Sequence, residues 1–406
     1  MLRSFFLILF SCSIVVAKTQ SLDRTFLHEV TDSTVLNGAE NTQDYLPLLK
    51  GKRVAMVVNQ TSMIGNMHLV DSLLNANINI VKIFAPEHGF RGDKSNGTTV
   101  VNSKDSITGI TLVSLYGAKF KPSPDDMKNI DMIVFDIQDV GVRFYTYIST
   151  LHYIMEACAE NLVPLIVLDR PNPNGFYVDG PILNPTYRSF VGMDEIPIVH
   201  GLTIGELALM INGEKWLKNK MQCDLTIIAC KSWDHTCLYQ LPVKPSPNLI
   251  SMEAIYLYPS LGLFEGTIVS VGRGTYRPFE IFGHPNLKNA PFEFTPQPIT
   301  GMSESPPFAG KVCHGYDVSE FASQMLKYKG ELYLWWLSGI YEELCKAGKK
   351  DIFWHTSFFD KLAGQNNLRL QIIAGTDPDE IRRSWAAGLS EYKTLRRRYL
   401  LYKDFE

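Results

Sequence analysis

The chain has no excess of charge of either sign and no long hydrophobic run beyond its N-terminus. Lysine and arginine number 39 against 42 aspartates and glutamates, and the net charge is −3. Because that balance gives no general attraction to phosphate backbones, we expect no nucleic-acid partner. No later stretch reaches 18 consecutive apolar residues, so we expect no transmembrane segment. A chain of 406 residues with 45% apolar content is typical of a globular protein of two domains.

Several signatures of catalytic chemistry are also missing. A serine-hydrolase elbow, Gly-x-Ser-x-Gly, is absent, and neither a Gly-x-Gly-x-x-Gly fingerprint after the first strand nor a phosphate-binding P-loop is present. The cysteines have no Cys-x-x-Cys spacing. The loop histidines lack the i, i+4 spacing of helical zinc sites; they are His88, His200, His284 and His314. We therefore expect neither a nucleotide cofactor nor a bound metal ion.

The first nineteen residues have the pattern of a secretory signal peptide. Arg3 precedes an apolar core at 5–10, and small residues end at Ala17 in a cleavage-like pattern. We therefore expect residues 1–19 to be removed and the mature protein to be exported to the periplasm or the medium. The run 9–12 also resembles a lipobox, which leaves a lipid anchor at Cys12 open as an alternative.

Six cysteines follow the leader, an even number that permits disulfides in an exported protein. Cys158 lies in an apolar helical pattern and Cys230 in an apolar strand. This placement favours buried free thiols.

Apolar runs separated by helical stretches predict an α/β fold in the first half. Strands that are apolar on both faces indicate a doubly wound, mostly parallel sheet of the Rossmann-like type, covered by helices on both sides. A Rossmann-like catalytic domain is predicted over 20–240. From 241 to 406 frequent proline and glycine predict a smaller α+β domain that completes a cleft. The predicted strands are 53–58, 78–84, 111–115, 132–135, 163–168 and 225–230, and the predicted helices are 66–76, 123–129, 146–160, 203–217, 251–258, 317–328, 331–346 and 378–391.

Polar and ionisable residues follow four of the first five predicted strands. Because ligands of open parallel sheets bind outside the carboxyl ends of the strands, these segments predict a site at one edge of the sheet. The segments are 59–61, 86–92, 136–147 and 169–175. A further cluster rich in polar residues and glycine, containing Glu265 and Arg273, is expected to reach across the domain interface.

Carboxyl groups in these segments suit acid and base catalysis. Glu87 could act as a general acid, and from spacing alone it could equally form a structural ion pair with Arg91. Asp136, Asp139 and Asp169 offer a second carboxyl, as glycoside hydrolysis usually requires. Each aspartate could also be a helix cap or an ion-pair partner.

Eight ordered motifs resemble the exo-β-N-acetylmuramidase family, of the NamZ type and glycoside hydrolase family 171. The resemblance runs from about residue 51 to the C-terminus. The motifs are 59–61 (NQT), 86–92 (PEHGFRG), 135–147 (FDIQDVGVRFYTY), 168–173 (LDRPNP), 180–181 (GP), 200–203 (HGLT), 245–248 (PSPN) and 265–267 (EGT).

The resemblance implies an exported glycoside hydrolase that needs no cofactor. Its substrates would be peptidoglycan-derived disaccharides or muropeptides, from whose non-reducing ends it would release terminal N-acetylmuramic acid. The catalytic carboxyl would be Glu87, acting as general acid and base.

The second catalytic group stays open, as do the contacts to the sugar. Its candidates are Asp136, Asp139, Glu265 and a tyrosine nucleophile at Tyr145 or Tyr147. The candidate anchors for the lactyl carboxylate of muramic acid are Arg91, Arg143 and Arg170. The other candidate substrate-binding residues are Asn59, Gln60, His88, Gln138, Asn172, His200 and Arg273.

Two other functions remain compatible with the sequence. A non-catalytic muropeptide- or sugar-binding protein of the cell envelope would have a similar cleft, but it would not require a protonatable carboxyl. An exported hydrolase of acyl or amide bonds in peptidoglycan would need a nucleophile or a metal set that the sequence does not display.

Overall fold

A computed structural model describes residues 27–30, 35–87, 89–90, 103–324 and 330–406 of the chain. The expected signal peptide and Cys12 lie outside the described residues. So do His88 and Arg91, two of the candidate substrate-binding residues.

The described strands form one large sheet and three small ones. They are β1 (His28–Val30), β2 (Arg53–Val58), β3 (Met63–Ile64), β4 (Met67–His68), β5 (Asn79–Ala85), β6 (Ser103–Lys104), β7 (Thr111–Ser114), β8 (Met132–Asp136), β9 (Leu165–Leu168), β10 (Leu225–Ile228), β11 (Cys237–Tyr239), β12 (Ile281–His284), β13 (Phe292–Phe294) and β14 (Cys313–Asp317).

The large sheet has the strand order β10-β9-β8-β2-β5-β7-β6. All neighbours are parallel except the edge strand β6, which runs antiparallel to β7. Numbered by position along the chain, the six parallel strands follow the order 3-2-1-4-5-6 of a Rossmann sheet. The predicted fold class is thus confirmed, and strand order reverses between β2 and β8.

Strand β2 shows why helices cover both faces of this sheet. Val54, Met56 and Val58 belong to one apolar cluster, and Ala55 and Val57 belong to another on the opposite face. Since successive side chains of a strand point to opposite sides, a strand buried throughout needs a helical layer on each face. The first cluster includes residues of helices 42–49 and 69–75, and the second includes residues of helices 124–127, 147–161 and 204–213.

Each helix predicted in the first half has a described counterpart, the helix Thr42–Leu49 was not predicted, and the helices of the second half are more broken than predicted. The described helices are α1 (Thr42–Leu49), α2 (Leu69–Asn75), α3 (Pro124–Met127), α4 (Tyr147–Asn161), α5 (Ile204–Gly213), α6 (Met252–Leu261), α7 (Phe321–Gln324), α8 (Trp335–Lys346), α9 (Thr356–Ala363), α10 (Asn367–Ile373), α11 (Pro378–Ser384) and α12 (Ala386–Arg396).

Local capping chemistry sets the start of α5. The Thr203 side chain accepts a hydrogen bond from the amide of Glu206, whose carboxylate accepts one from the amide of Thr203. This capping box confirms the predicted start of α5. The single helix predicted over 378–391 is wrong, because α11 ends at Ser384 and α12 begins after Trp385.

The second half builds a smaller α+β unit. Strands β12, β14 and β13 form an antiparallel sheet in that order, and helices α6 to α12 belong to the same half of the chain. A short 3-10 helix, Gly262–Gly266, follows α6 directly. The domain boundary near residue 240 stays a prediction.

The segment after α12 returns to the first domain. The Tyr402 hydroxyl donates to Asp169 Oδ2 at 2.5 Å, and the amide of Leu401 donates to Glu206 Oε1 at 2.8 Å. The amide of His235 donates to the carbonyl of Lys403 at 3.1 Å. This return joins the two halves of the chain through buried polar groups.

Cys158 and Cys230 are buried free thiols, as predicted. Burial raises the pKa of each of the two groups, which keeps them protonated. Among the described helices, none has the length and apolar content needed to cross a membrane.

Candidate active site

A cavity of about 380 Å³ lies where the carboxyl edge of the large sheet meets the second domain. Such a location, between domains and beyond the strand ends, is where small ligands bind in folds of this class. Its described lining consists of Glu87, Tyr116, Phe144, Tyr145, Thr146, Tyr147, Phe190, Val191, Ser246, Asn248, Leu249, Tyr258, Glu265, Arg273, Phe279, Phe358 and Leu362.

Glu87 comes two residues after β5 and lies in this lining. Its Oε2 accepts a hydrogen bond from Thr146 Oγ1 at 3.1 Å, and the Tyr116 side chain is also hydrogen-bonded to its carboxyl group. Thr146 is the residue before α4, and Tyr116 follows β7. Three segments of the Rossmann-like sheet therefore hold this carboxyl group at the edge of the cavity.

Glu265 and Arg273 enter the same cavity from the second domain. Arg273 Nε donates to Glu265 Oε1 at 2.7 Å, and its guanidinium carbon lies 5.2 Å from the centre of the Phe279 ring. Glu265 is part of the 3-10 helix Gly262–Gly266. Gly266 packs so closely on α9 that a Cβ there would lie 2.6 Å from the backbone of Phe359, so a side chain would displace Glu265.

Tyrosine rings form much of the remaining wall. Burial raises the pKa of the Tyr145, Tyr147 and Tyr258 phenols. The Tyr145 hydroxyl donates to the carbonyl of Pro245 at 2.7 Å, and Tyr147 donates a longer bond of 3.5 Å to the carbonyl of Glu87. These phenols are therefore neutral donors, a state that suits sugar recognition better than nucleophilic attack.

Other predicted site residues are buried outside the described lining of the cavity, and most of their hydrogen bonds are made within the protein. The unpaired atoms among them are Asp139 Oδ1, Arg143 Nε and His200 Nε2. Arg170 forms a buried ion pair with Asp136, in which Nη2 donates to Oδ2 at 2.9 Å. Neither residue is part of the described lining of the cavity. Asp169, also fully buried, accepts bonds from the Thr203 hydroxyl and the Gly205 amide besides that from Tyr402.

Arg143 is wholly buried and bonds only to carbonyl oxygens among the described residues. Nη1 donates to Pro181 at 2.8 Å and Ile196 at 2.7 Å, and Nη2 donates to Leu362 in α9 at 3.0 Å. Burial lowers the pKa of Arg143 to about 9. The side chain links the two domains and lies outside the described lining of the cavity.

His200 pairs with Asp139, with 3.4 Å between His200 Nε2 and Asp139 Oδ2, and both are buried. We call Asp136, Asp139, Arg143, Asp169, Arg170 and His200 the closed cluster. Glu87, Tyr147, Glu265 and Arg273 form the open cluster.

The four predicted amide side chains support loops near the strand ends. Asn59 Oδ1 accepts from the amide of Thr61, and Asn172 Nδ2 donates to the carbonyl of Leu202. Gln138 Nε2 donates to the carbonyl of Pro171 at 2.7 Å. Gln60 Nε2 donates to the carbonyl of Pro245 at 3.1 Å, and through that contact it steadies the segment that carries Ser246. None of the four belongs to the described lining.

The sequence reasoning missed several residues of the cavity wall. Tyr116 could have been found, because it follows the third predicted strand and obeys the same strand-end rule as the other candidates. Phe358 lies on α9 and lines the cavity with 41% of its surface exposed. No sequence pattern distinguishes Phe358 from an ordinary core residue of an amphipathic helix.

The part of the chain that the structure describes contains no candidate metal site. No group of three or more histidine, cysteine, aspartate or glutamate side chains there could hold a metal ion. Groups available to act on a ligand in the described lining are therefore two carboxyls, one guanidinium, and hydroxyl and amide groups.

Two family models match the chain. The N-terminal model of exo-beta-N-acetylmuramidase NamZ matches residues 54–253, and its C-terminal model matches residues 256–402. The peptidoglycan beta-N-acetylmuramidase NamZ of Bacillus subtilis (strain 168) is 39% identical over 380 residues, which cover 88% of this chain and 89% of that protein.

Two solved structures of DUF1343 family proteins from Bacteroides fragilis NCTC 9343 have the same two-domain fold. The first is 47% identical, with a TM-score of 0.82. The second is 29% identical, with a TM-score of 0.76. Each comparison covers 91% of this chain and 99% of the other.

Proposed function

The chain belongs to the exo-beta-N-acetylmuramidase NamZ family, and on that premise we propose that it removes terminal β-linked N-acetylmuramic acid from the non-reducing ends of peptidoglycan fragments. The observation that carries the proposal is the open cluster. Glu87 and Glu265, from different domains, line one cavity beside Arg273 and several protonated tyrosines. Paired carboxyl groups at a sugar-sized cavity are the usual requirement for glycoside hydrolysis.

In this mechanism Glu87 is the general acid. As the bond from C1 to the glycosidic oxygen breaks, the Glu87 carboxyl gives its proton to that oxygen, and the rest of the fragment leaves as an alcohol. Thr146 and Tyr116, which contact this carboxyl group, fix its orientation toward the leaving oxygen. Water supplies the hydroxyl that remains on C1 of the released sugar.

Glu265 takes the second role. It is the other carboxylate of the described lining, and its bond from Arg273 holds it in place. The role requires either accepting the proton of the attacking water or bonding transiently to C1. Asp136 and Asp139 are assigned no reacting role, because both are buried in pairs behind the cavity.

A binding protein of the cell envelope is the alternative function. It would explain the tyrosines and the arginine, but not why two carboxyl groups from different domains line the cavity. Desolvating charged groups is unfavourable unless they are paired or serve chemistry. Hydrolysis of an acyl or amide bond is also less well supported, because the described lining contains no serine–histidine or cysteine–histidine pair.

We also propose that the protein is exported, since residues 1–19 have the pattern of a signal peptide. Mass spectrometry of the mature protein would test this. A new N-terminus near residue 18 is expected for signal-peptide cleavage, whereas a diacylglyceryl mass on Cys12 would indicate a lipid anchor. An intact Met1 on protein from the cell envelope would contradict both.

Release of free N-acetylmuramic acid tests the enzymatic proposal. The substrates are the 4-nitrophenyl β-glycoside of N-acetylmuramic acid and a disaccharide of N-acetylmuramic acid and N-acetylglucosamine. We expect Glu87→Gln to lower kcat on the disaccharide by about 100-fold or more, because it removes the acid that protonates the leaving oxygen. Glu195→Gln, at an exposed glutamate paired with Arg188, is the matched control and should retain full activity.

One result would overturn the proposed reaction, and another would overturn the role of Glu87. The first is no release of the sugar by the wild type while the disaccharide still binds, which would favour a binding protein. The second is unchanged kcat in the Glu87→Gln variant, which would remove the assigned role of Glu87 while leaving the family's reaction to another residue.

A further inference from the structure

N-acetylmuramic acid differs from N-acetylglucosamine by a lactyl ether that carries a carboxylate. A site that selects the former therefore needs a group that recognises an anion, and a guanidinium is the best-suited side chain. Two of the three arginines predicted for this task are described, and neither belongs to the described lining of the cavity. Arg143 keeps one unpaired donor, Nε, but it is wholly buried outside that lining. Arg170 is paired with Asp136, and Arg143 donates to three carbonyl oxygens.

Arg273 differs from both of these arginines. It is the basic residue in the described lining of the cavity. Its Nε donates a hydrogen bond to Glu265, and the guanidinium makes no other hydrogen bond to the described residues. Nη1 is buried with no hydrogen-bond partner, which is an unfavourable state for a charged donor unless a ligand satisfies it.

The surroundings hold this guanidinium ready for a ligand. Glu265 fixes its Nε edge, and the Phe279 ring lies under its face at 5.2 Å. Both contacts leave the terminal Nη1 and Nη2 groups free to form a fork toward a carboxylate. A side chain fixed in this way loses little conformational entropy when it binds.

A second unpaired atom lies in the same wall. Asn248 donates through Nδ2 to the carbonyl of Met302, but its Oδ1 is buried without a partner. A carboxamide oxygen accepts from an N–H group such as that of the 2-acetamido substituent. On the sugar ring this substituent is next to the carbon that bears the lactyl ether.

We propose that Arg273 binds the lactyl carboxylate of the terminal sugar and so determines the preference for muramic acid over glucosamine. The proposal rests on the function proposed above, and it replaces Arg143 and Arg170 as candidate anchors. Arg273 acts on the substrate through Nη1 and Nη2, while its Nε continues to hold Glu265.

The test compares two glycosides that differ only in charge. One is the 4-nitrophenyl β-glycoside of N-acetylmuramic acid, and the other is the same compound with the lactyl carboxylate converted to a primary amide. For the wild type we expect kcat/KM to favour the acid by about 30-fold or more, since a desolvated ion pair is lost with the amide. For Arg273→Gln the ratio should fall to near one.

Three variants distinguish recognition of the lactyl carboxylate by Arg273 from the hydrogen bond by which Arg273 holds Glu265. Glu265→Gln breaks the same pair from the other side, and it should lower kcat on both substrates while keeping the preference for the acid. Arg273→Lys keeps the charge without the fork, and an intermediate preference is expected. Arg277→Gln, at a nearby arginine paired with Asp317 outside the cavity lining, should leave both rates unchanged.

Direct binding keeps the test valid if a variant is inactive. Calorimetry with free N-acetylmuramic acid and its lactyl amide should show tighter binding of the acid in the wild type and equal binding in Arg273→Gln. If the wild type cleaves neither glycoside but still prefers the acid in binding, the proposed reaction fails and the anchor stands. Equal wild-type kcat/KM on acid and amide, or an acid preference that persists in Arg273→Gln, would overturn the anchor.

Discussion

The closed and open clusters lie near the same edge of the sheet and contain the same kinds of residue, yet their surroundings are opposite. In the closed cluster, Asp136 and Arg170 bond each other, and Arg143 donates to three carbonyl groups. In the open cluster, Glu87 and Arg273 face a cavity of about 380 Å³. Residue type and position after a strand therefore do not distinguish residues that support the fold from residues that line the cavity.

The difference lies in access to the cavity as well as in hydrogen bonding. Asp139, Arg143 and His200 of the closed cluster each keep a buried atom without a hydrogen-bond partner, but none of the three belongs to the described lining of the cavity. Arg273 has an unpaired donor and does line the cavity, so this donor can bind a ligand. Four predictions test this difference, beginning with the largest effect.

Breaking the ion pair of the closed cluster should be the most destabilising change. Asp136→Asn leaves the Arg170 guanidinium buried without a counter-ion, which should lower the free energy of unfolding by about 3–5 kcal/mol. Urea denaturation followed by circular dichroism would measure it. Asp136→Asn combined with Arg170→Met removes both charges and should lose less. Glu87→Gln, in the open cluster, should change stability by less than about 1 kcal/mol. Equal losses for Asp136→Asn and Glu87→Gln would contradict the distinction.

Gly141 tests how tightly the loop of the closed cluster is built. Its φ is 78°, and a Cβ there would lie 2.3 Å from Asn172 Oδ1. Gly141→Ala should therefore cost about 2–5 kcal/mol, from the left-handed backbone and the overlap together. Gly51→Ala is the control, because Gly51 has a φ of 73° and nothing within 4 Å of an added Cβ. It should cost only about 1–2 kcal/mol in the same thermal melts. Equal costs would show that Asn172 moves aside freely.

Asp169 should make stability depend on pH. Burial raises its pKa to about 6, from 3.8 in the unfolded chain. Because the folded protein holds this proton more tightly, the contribution of Asp169 to stability is fully present below pH 4 and is lost as the pH rises through 6. The fall should be about 3 kcal/mol. Asp169→Asn cannot ionise, so its free energy of unfolding, measured from pH 4 to 7, should lack this component. Parallel pH profiles for the two proteins would contradict the shift.

The smallest effect on stability is expected in the open cavity. Phe358 is 41% exposed, so Phe358→Ala should cost under about 1 kcal/mol, while kcat/KM on the disaccharide falls about 3- to 10-fold from lost contact with the apolar face of a sugar ring. Leu370→Ala, at a residue 46% exposed on α10 and outside the lining, is the control for stability and should keep full activity. Unchanged kcat/KM for Phe358→Ala would remove Phe358 from the binding surface.

Much of the fold could be predicted because apolar runs identify buried strands directly. All six predicted strands of the large sheet lie within two residues of the observed bounds. The strand order could not be read, since it depends on contacts between distant segments. In the second domain, α9 and α10 were not predicted, and Trp385 divides a helix that the periodicity suggested was continuous. In this region the spacing of apolar residues stays helical across the turn between two helices, so it does not mark where one helix ends and the next begins.

The sequence predicted the position of the site better than it predicted which residues line it. The strand-end rule led to Glu87, and the glycine-rich cluster led to Glu265 and Arg273, all of which line the cavity. The same rule also selected Asp136, Arg143 and Arg170, because sequence alone does not show that these side chains bond to one another or to backbone carbonyls. Spatial pairing across 34 positions, as between Asp136 and Arg170, has no local signature.

The return of the segment after α12 has a consequence for the order in which the protein folds. Asp169 and Tyr402 are 233 positions apart, and Glu206 and Leu401 are 195 apart. Until residues 401–403 have been synthesised and docked, the Rossmann-like sheet keeps buried carboxylates without these donors. Contacts over such sequence distances form late and slowly. Completion of the first domain therefore depends on contacts made by residues 401–403.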